Sequence, residues 1–147
     1  MRSFSCLSEV ERLPGWEDRL VAVISAARDE PYRLGKHDCF RLACSTVQAL
    51  TGQDLWTPWA GSYSSKRAAL RLIAEFHAEG FTAAASKFFG SEPEPMPMGR
   101  RGDICEYVDG EGEQHLGVVL GVYVALMNPV GLDYLPRELA AHCWRIG

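Results

Sequence analysis

Pro31-Tyr32-Arg33-Leu34-Gly35-Lys36-His37-Asp38-Cys39 runs directly into Phe40-Arg41-Leu42-Ala43-Cys44-Ser45-Thr46-Val47-Gln48-Ala49-Leu50 and ends in Thr51-Gly52. The second part carries Phe40, Ala43, Cys44, Val47 and Leu50 on one stripe at helical spacing, and Gly52 is a natural left-handed stop. The junction decides the reading. Asp38 is a good N-cap, because its carboxylate can accept hydrogen bonds from the unpaired N–H groups of the first turn, and Cys39 then falls within that turn. A thiol there feels the positive end of the helix dipole, which favours the nucleophilic thiolate. A loop therefore delivers a cysteine to the start of a helix.

Upstream, Trp16, Leu20, Val23, Ile24 and Ala27 fall at helical spacing after Pro14-Gly15, and Pro31 forbids continuation. Downstream, residues 53–63 lack a clean period and combine Trp56, Trp59 and Tyr63 with turn formers, so they read as an ordered loop over something apolar, a candidate cleft wall. Ser64 or Ser65 can cap a third helix whose inner stripe is Ala69, Leu72, Ile73 and Phe76, ended by Gly80. His77 reads as a rim residue, and residues 81–89 as a short Ala-rich segment. The alternating prolines of Ser91 to Gly102 favour an extended, solvated connection. Beyond it, Asp103 to Val108 reads as a strand, Asp109-Gly110-Glu111-Gly112 as a turn, and His115 to Gly121 as the hairpin partner. Val122 to Met127 continues as a strand, Asn128 to Gly131 turns, and Cys143 to Ile146 closes the sheet. Cys105 reads as packing and His142 as surface. The expectation is an α+β fold in one domain spanning 1–147, with a helical half over about 14–90 and a strand-rich half over about 101–146, since neither half alone buries a sizeable core.

The 147 residues have ordinary globular proportions, with 47% hydrophobic and 23% charged residues and a formal charge of -4. That balance gives no basic face for nucleic acid or an anionic membrane. The longest nearly apolar run, Leu116 to Met127, is too short to span a bilayer. The five cysteines, at 6, 39, 44, 105 and 143, lack the paired spacings of a disulfide framework or zinc ribbon and read as mostly free thiols. Residues 1–10 show no continuous apolar leader core, which points to a cytosolic protein.

A cysteine nucleophile works best beside an imidazole that holds the thiolate and protonates the leaving group, with a third polar side chain orienting the ring. His115 opens a strand that can pass a helix N-terminus, and Asn128 ends the next strand, where its amide oxygen can accept from the histidine. His37, beside Cys39, can tune its pKa or line the substrate side. As a zinc signal the pair His37 and Cys39 lacks a second close pair, so no metal or organic cofactor is expected.

Pro31-Tyr32 with Gly35, Asp38-Cys39 at a helix start, Arg101-Gly102-Asp103-Ile104 opening a strand, and His115-Leu116-Gly117 resemble the NlpC-type papain-like cysteine peptidases of cell-wall hydrolysis. Together with Leu50-Thr51-Gly52-Gln53-Asp54 and Trp144-Arg145, the layout is similar to small NlpC-like domains of phage and prophage tail gene clusters. The resemblance covers roughly residues 16–146. It implies a papain-like fold, with N-terminal helices packed on a C-terminal antiparallel sheet. In its terms Cys39 is the nucleophile, His115 the base and acid, and Asn128 the third member. Asp38 caps the helix, the Cys39 N–H helps form an oxyanion hole, and Tyr32 lines the substrate side. The implied activity is cysteine peptidase or amidohydrolase action on cell-wall stem peptides, with a structural role among tail proteins or acyl transfer as alternatives, and a virion or tail location. Three features depart from the family. The sequence reads without an export signal or cell-wall-binding repeat, so access to peptidoglycan is expected through delivery in a tail or lysis from within. Phe40-Arg41 stand where small residues usually follow the cysteine, crowding the cleft, and Gly35 alone replaces paired glycines.

Overall fold

The computed structural model describes residues 6–147; the leader-free reading of residues 1–10 falls partly on residues 1–5, outside the described residues. Four N-terminal helices pack against a C-terminal six-stranded antiparallel sheet: α1 (Trp16–Asp29), α2 (Cys39–Thr51), α3 (Lys66–Phe76), α4 (Phe81–Phe89), β1 (Glu94–Pro95), β2 (Ile104–Val108), β3 (Gln114–Val119), β4 (Tyr123–Asn128), β5 (Gly131–Pro136) and β6 (His142–Trp144). The sheet order is β1-β6-β2-β3-β4-β5. Among the described residues no helix is long and apolar enough to cross a membrane.

The helices begin and end for local reasons. Ser65 caps α3 by accepting the Ala68 N–H at 3.1 Å, and Gly52 ends α2 at φ 80°, a conformation that costs glycine little. Helix α3 stops at Phe76 with His77 as its C-cap, earlier than Gly80, which instead precedes α4. The Ala-rich segment 81–89 is thus a full helix, with Ala84, Ala85, Phe88 and Phe89 buried.

Side chains alternate along a strand, and the sheet uses both faces. Ile104, Leu116, Val118, Met127 and Trp144 face the helices and join Leu20, Leu42, Val47 and Leu50 in the main core. Cys105, Val119, Val124 and Cys143 form a smaller cluster with Met96 and Ala140 on the other face. The proline-rich connection is less solvated than its composition suggests. Glu94 and Pro95 pair with β6, Met96 is buried, and the Arg137 guanidinium donates to the carbonyls of Met96, Gly99 and Gly121. A strand also follows the Asn128 to Gly131 turn, since β5 pairs with β4 along its whole length.

Two buried carboxylates fix the strand-rich half. Asp103 accepts the backbone N–H of Ile146 at 2.9 Å and of Arg100 at 2.8 Å, and lies 3.2 Å from the Arg12 guanidinium. The Arg101-Gly102-Asp103 stretch therefore ties the start of β2 to both ends of the described chain. Glu106, 2% exposed, accepts from the Thr82 hydroxyl at 2.7 Å and the Gln114 amide at 2.9 Å, and His142 Nε2 lies 2.9 Å away. His142, expected at the surface, is thus half-buried in this network, because the oxygens of a buried carboxylate under α4 require hydrogen-bond partners. Glu106→Gln should cost about 1.5 kcal/mol in urea unfolding, because the amide adds a donor where three donors already converge.

Candidate functional site at the start of helix α2

The site is built around Asp38. With φ -135° and ψ -172° it stands just outside α2, and its Oδ1 accepts the Arg41 N–H at 2.9 Å. Its Oδ2 accepts the Gly35 N–H at 2.8 Å and the Tyr63 hydroxyl at 2.5 Å. The loop before it closes on itself, with the Arg33 N–H donating to the His37 carbonyl at 2.9 Å and the His37 N–H to the Arg33 carbonyl at 2.7 Å. Burial and the bond to Asp38 push the Tyr63 phenol far above its ordinary range. Tyr63, expected as part of a cleft wall, is in fact a strut between the 53–63 loop and the helix cap.

Cys39 occupies the first turn of α2 as expected. The backbone N–H groups of Leu116, Phe40 and Cys39 itself favour its thiolate, yet burial outweighs them, and the neighbouring Asp38 charge adds to burial, so the thiol is pushed up to about 11. Helix position alone does not activate a sulfur that packs half-buried against the core. Tyr32 lies close enough to feel the charges of Asp38 and Cys39, and burial first, then those charges, raise its phenol.

The expected partner is placed elsewhere. His115 Nε2 lies 2.9 Å from Asp109 Oδ2, and its ring tilts against Tyr107, its cross-strand partner, with centroids 6.2 Å apart. Strand alternation puts His115 on the face of Gly117, where Cys105 Sγ lies, whereas Leu116 on the opposite face packs in the core with Cys39. Among the described residues no hydrogen bond or ion pair joins Cys39 to His115. The Asp109 carboxyl is held below its usual range, first by the bond to His115. Asn128 serves the β4–β5 hairpin, its Oδ1 accepting the Val130 N–H at 3.1 Å, and the β3–β4 ladder stops at Gly117 opposite Leu126. Asp109 was missed from sequence because an Asp-Gly turn explains it without a histidine. Asp109, Glu113 and His115 bring ligand-type atoms within 4.8 Å of one another, but the Lys66 ammonium pairs with Glu113.

The aromatic residues divide into two roles. Phe40 turns inward, 5.2 Å from Phe88 and 5.8 Å from Trp56 between centroids, so it fills the gap between α2 and α4. Trp59 packs on Phe76 at 5.6 Å and Phe88 at 6.5 Å. The Arg41 guanidinium stands 5.0 Å over the Trp56 ring. His37 and Trp56 instead line a cavity of about 410 Å³ between α1 and α2, which Cys39 does not line.

Residues 11–146 match the model of a protein family described as a domain of unknown function, DUF6950. The chain belongs to this family. The DUF6950 match takes in all four helices and all six strands, with the α2 cap and the buried carboxylates. No curated protein matches the chain.

Proposed function

We propose that this DUF6950 chain is a non-catalytic binding component that keeps an NlpC-type, papain-like layout, and that it serves in a phage-tail-like assembly. One observation carries the first part: the Cys39 thiol is partly buried against the core, pushed up to about 11 and met by backbone N–H groups, while the His115 imidazole is bonded to Asp109. At neutral pH a thiol with that pKa is protonated and a poor nucleophile. The α2 cap is then a structural device, with Phe40 as core packing. The assembly setting rests on the resemblance of the Asp38-Cys39, Arg101-Gly102-Asp103 and Trp144-Arg145 segments to tail-cluster domains.

A second reading keeps the hydrolase. Its favouring observation is that the residue touching the Cys39 sulfur through its N–H, Leu116, is the neighbour of a histidine already oriented by a carboxylate. In that reading Cys39 attacks a stem-peptide carbonyl, His115 carries the proton and Asp109 replaces Asn128 as the orienting group. Muropeptide digestion separates the two. The binding-component reading expects no cleavage by the wild-type protein, with virion assembly unchanged by Cys39→Ala. Cleavage that Cys39→Ala and His115→Ala each abolish would establish the hydrolase instead.

A further inference from the structure

We propose that the cavity between α1 and α2 binds a zwitterionic amino acid or dipeptide with an apolar side chain, a site separate from Cys39 and independent of either reading above. Its volume of about 410 Å³ lies within the range of small-ligand sites, about 300–1,000 Å³.

The observation that points to a ligand is His37. It is 8% exposed, lines the cavity, and its Nδ1 is buried without a hydrogen-bond partner. Leaving such a nitrogen unpaired costs stability that a bound donor would restore. The charged group facing it is Glu30, whose Oε2 is 3.8 Å from Nδ1, beyond hydrogen-bond reach. Glu30 also caps the C-terminal end of α1, where unpaired carbonyls carry partial negative charge. Carboxylate, helix C-terminus and imidazole nitrogen together suit an ammonium, which can donate to Nδ1 and to Glu30 at once.

The other polar groups of the cavity have the opposite sign. Arg41 and Lys36 both line it; the Arg41 guanidinium stands over Trp56 and also feels the exposed Asp54 carboxylate outside the lining, and its planar N–H fork suits a ligand carboxylate. Val23, Ala27 and Leu42 supply the apolar wall. A simple anion would meet Glu30 and a simple cation would meet Arg41 and Lys36. A ligand bearing both charges on a short apolar body satisfies each end.

The test uses the whole chain, with L-leucine, leucyl-alanine, N-acetyl-leucyl-alanine and leucyl-alanine amide as probes. Calorimetry gives affinity, and ¹⁵N NMR of the imidazole nitrogens reads His37 directly. The expected result is that leucine or leucyl-alanine shifts the His37 Nδ1 resonance at millimolar concentration. Blocking either end of the dipeptide should then weaken binding about tenfold or more. Glu30→Gln should erase the penalty for acetylation, and Arg41→Met the penalty for amidation. Because Glu30 is exposed, Glu30→Gln keeps the fold, which the NMR spectrum verifies. If neither free probe shifts Nδ1, or if blocked and free dipeptides bind alike, the proposal is overturned.

Discussion

Asp38→Ala is expected to cost about 4 kcal/mol of folding stability. Three donors converge on this carboxylate: the Arg41 N–H, the Gly35 N–H and the Tyr63 hydroxyl. Losing an N-cap costs about 1 kcal/mol. The Gly35 N–H and the Tyr63 hydroxyl are left behind in a site where Asp38 is only 2% exposed, and each stranded donor adds about 1–3 kcal/mol. Asp38→Asn keeps one acceptor oxygen and should recover about half of the loss. Urea unfolding of the two variants checks the order, and a single Tyr63→Phe variant, which removes one donor with its partner still satisfied by two others, should cost about 1 kcal/mol.

Gly35→Ala should cost about 3 kcal/mol through backbone geometry. Gly35 has φ +83°, in the left-handed region, and a Cβ built there would lie 2.2 Å from the Tyr63 carbonyl oxygen. The positive φ contributes about 1–2 kcal/mol for alanine, and the collision with a backbone atom forces the 53–63 loop away, at about 1–3 kcal/mol more. The displaced loop carries Tyr63, so the variant should also weaken the cap on α2. Amide exchange then separates the two contributions: faster exchange at Arg41 in Gly35→Ala is the expected sign that strain in the loop reaches the helix. Unchanged stability would mean that the loop relaxes freely and that the close approach has no energetic weight.

These two residues explain why part of the site was legible in sequence. An Asp before an amphipathic run and a Gly after it are local signals, satisfied within one or two turns, and α1, α2 and the β2–β3 hairpin all follow from such signals. What escaped depends on pairing far along the chain. Strand β1 is two residues of a proline-rich stretch whose partner, β6, lies 47 or more residues away. Strand β5 includes Asp133 and Tyr134, both exposed, so at the sheet edge it has no alternating apolar pattern to read. Helix α4 is only nine residues long, and its polar Thr82 and Ser86 turn inward to Glu106 and Trp144 instead of marking a solvent face, so its helical period is hard to see. At the site, the order of Asp38, Cys39 and His115 along the chain carries no information on which face of β3 the imidazole takes. A single-residue parity decides that, and here Leu116 holds the helix side. The buried Glu106 was a signal available in sequence, since a carboxylate within Ile104-Cys105-Glu106-Tyr107-Val108 needs partners, and His142 is one of them.

The same burial that raises the Cys39 thiol has a consequence for the whole fold. Below pH 9 the thiol is protonated in both folded and unfolded chains, and stability is independent of it. Because the folded pKa is raised, to about 11 from 9.0, the unfolded chain ionises first as the pH climbs, and stability falls across that window. Burial raises the Cys44, Cys105 and Cys143 thiols as well, so Cys39→Ser, which does not ionise there, should lessen the slope of this part of the pH profile by its own share and leave the rest.

The most direct test of Cys39 as a resting structural thiol is the pH dependence of its alkylation by iodoacetamide, followed by mass spectrometry of the peptide that contains it. The rate should rise with a single transition near pH 11 and be the same in His115→Ala. A fast plateau already reached at neutral pH, and lost in His115→Ala, would show a thiolate held by the imidazole and contradict the non-catalytic account.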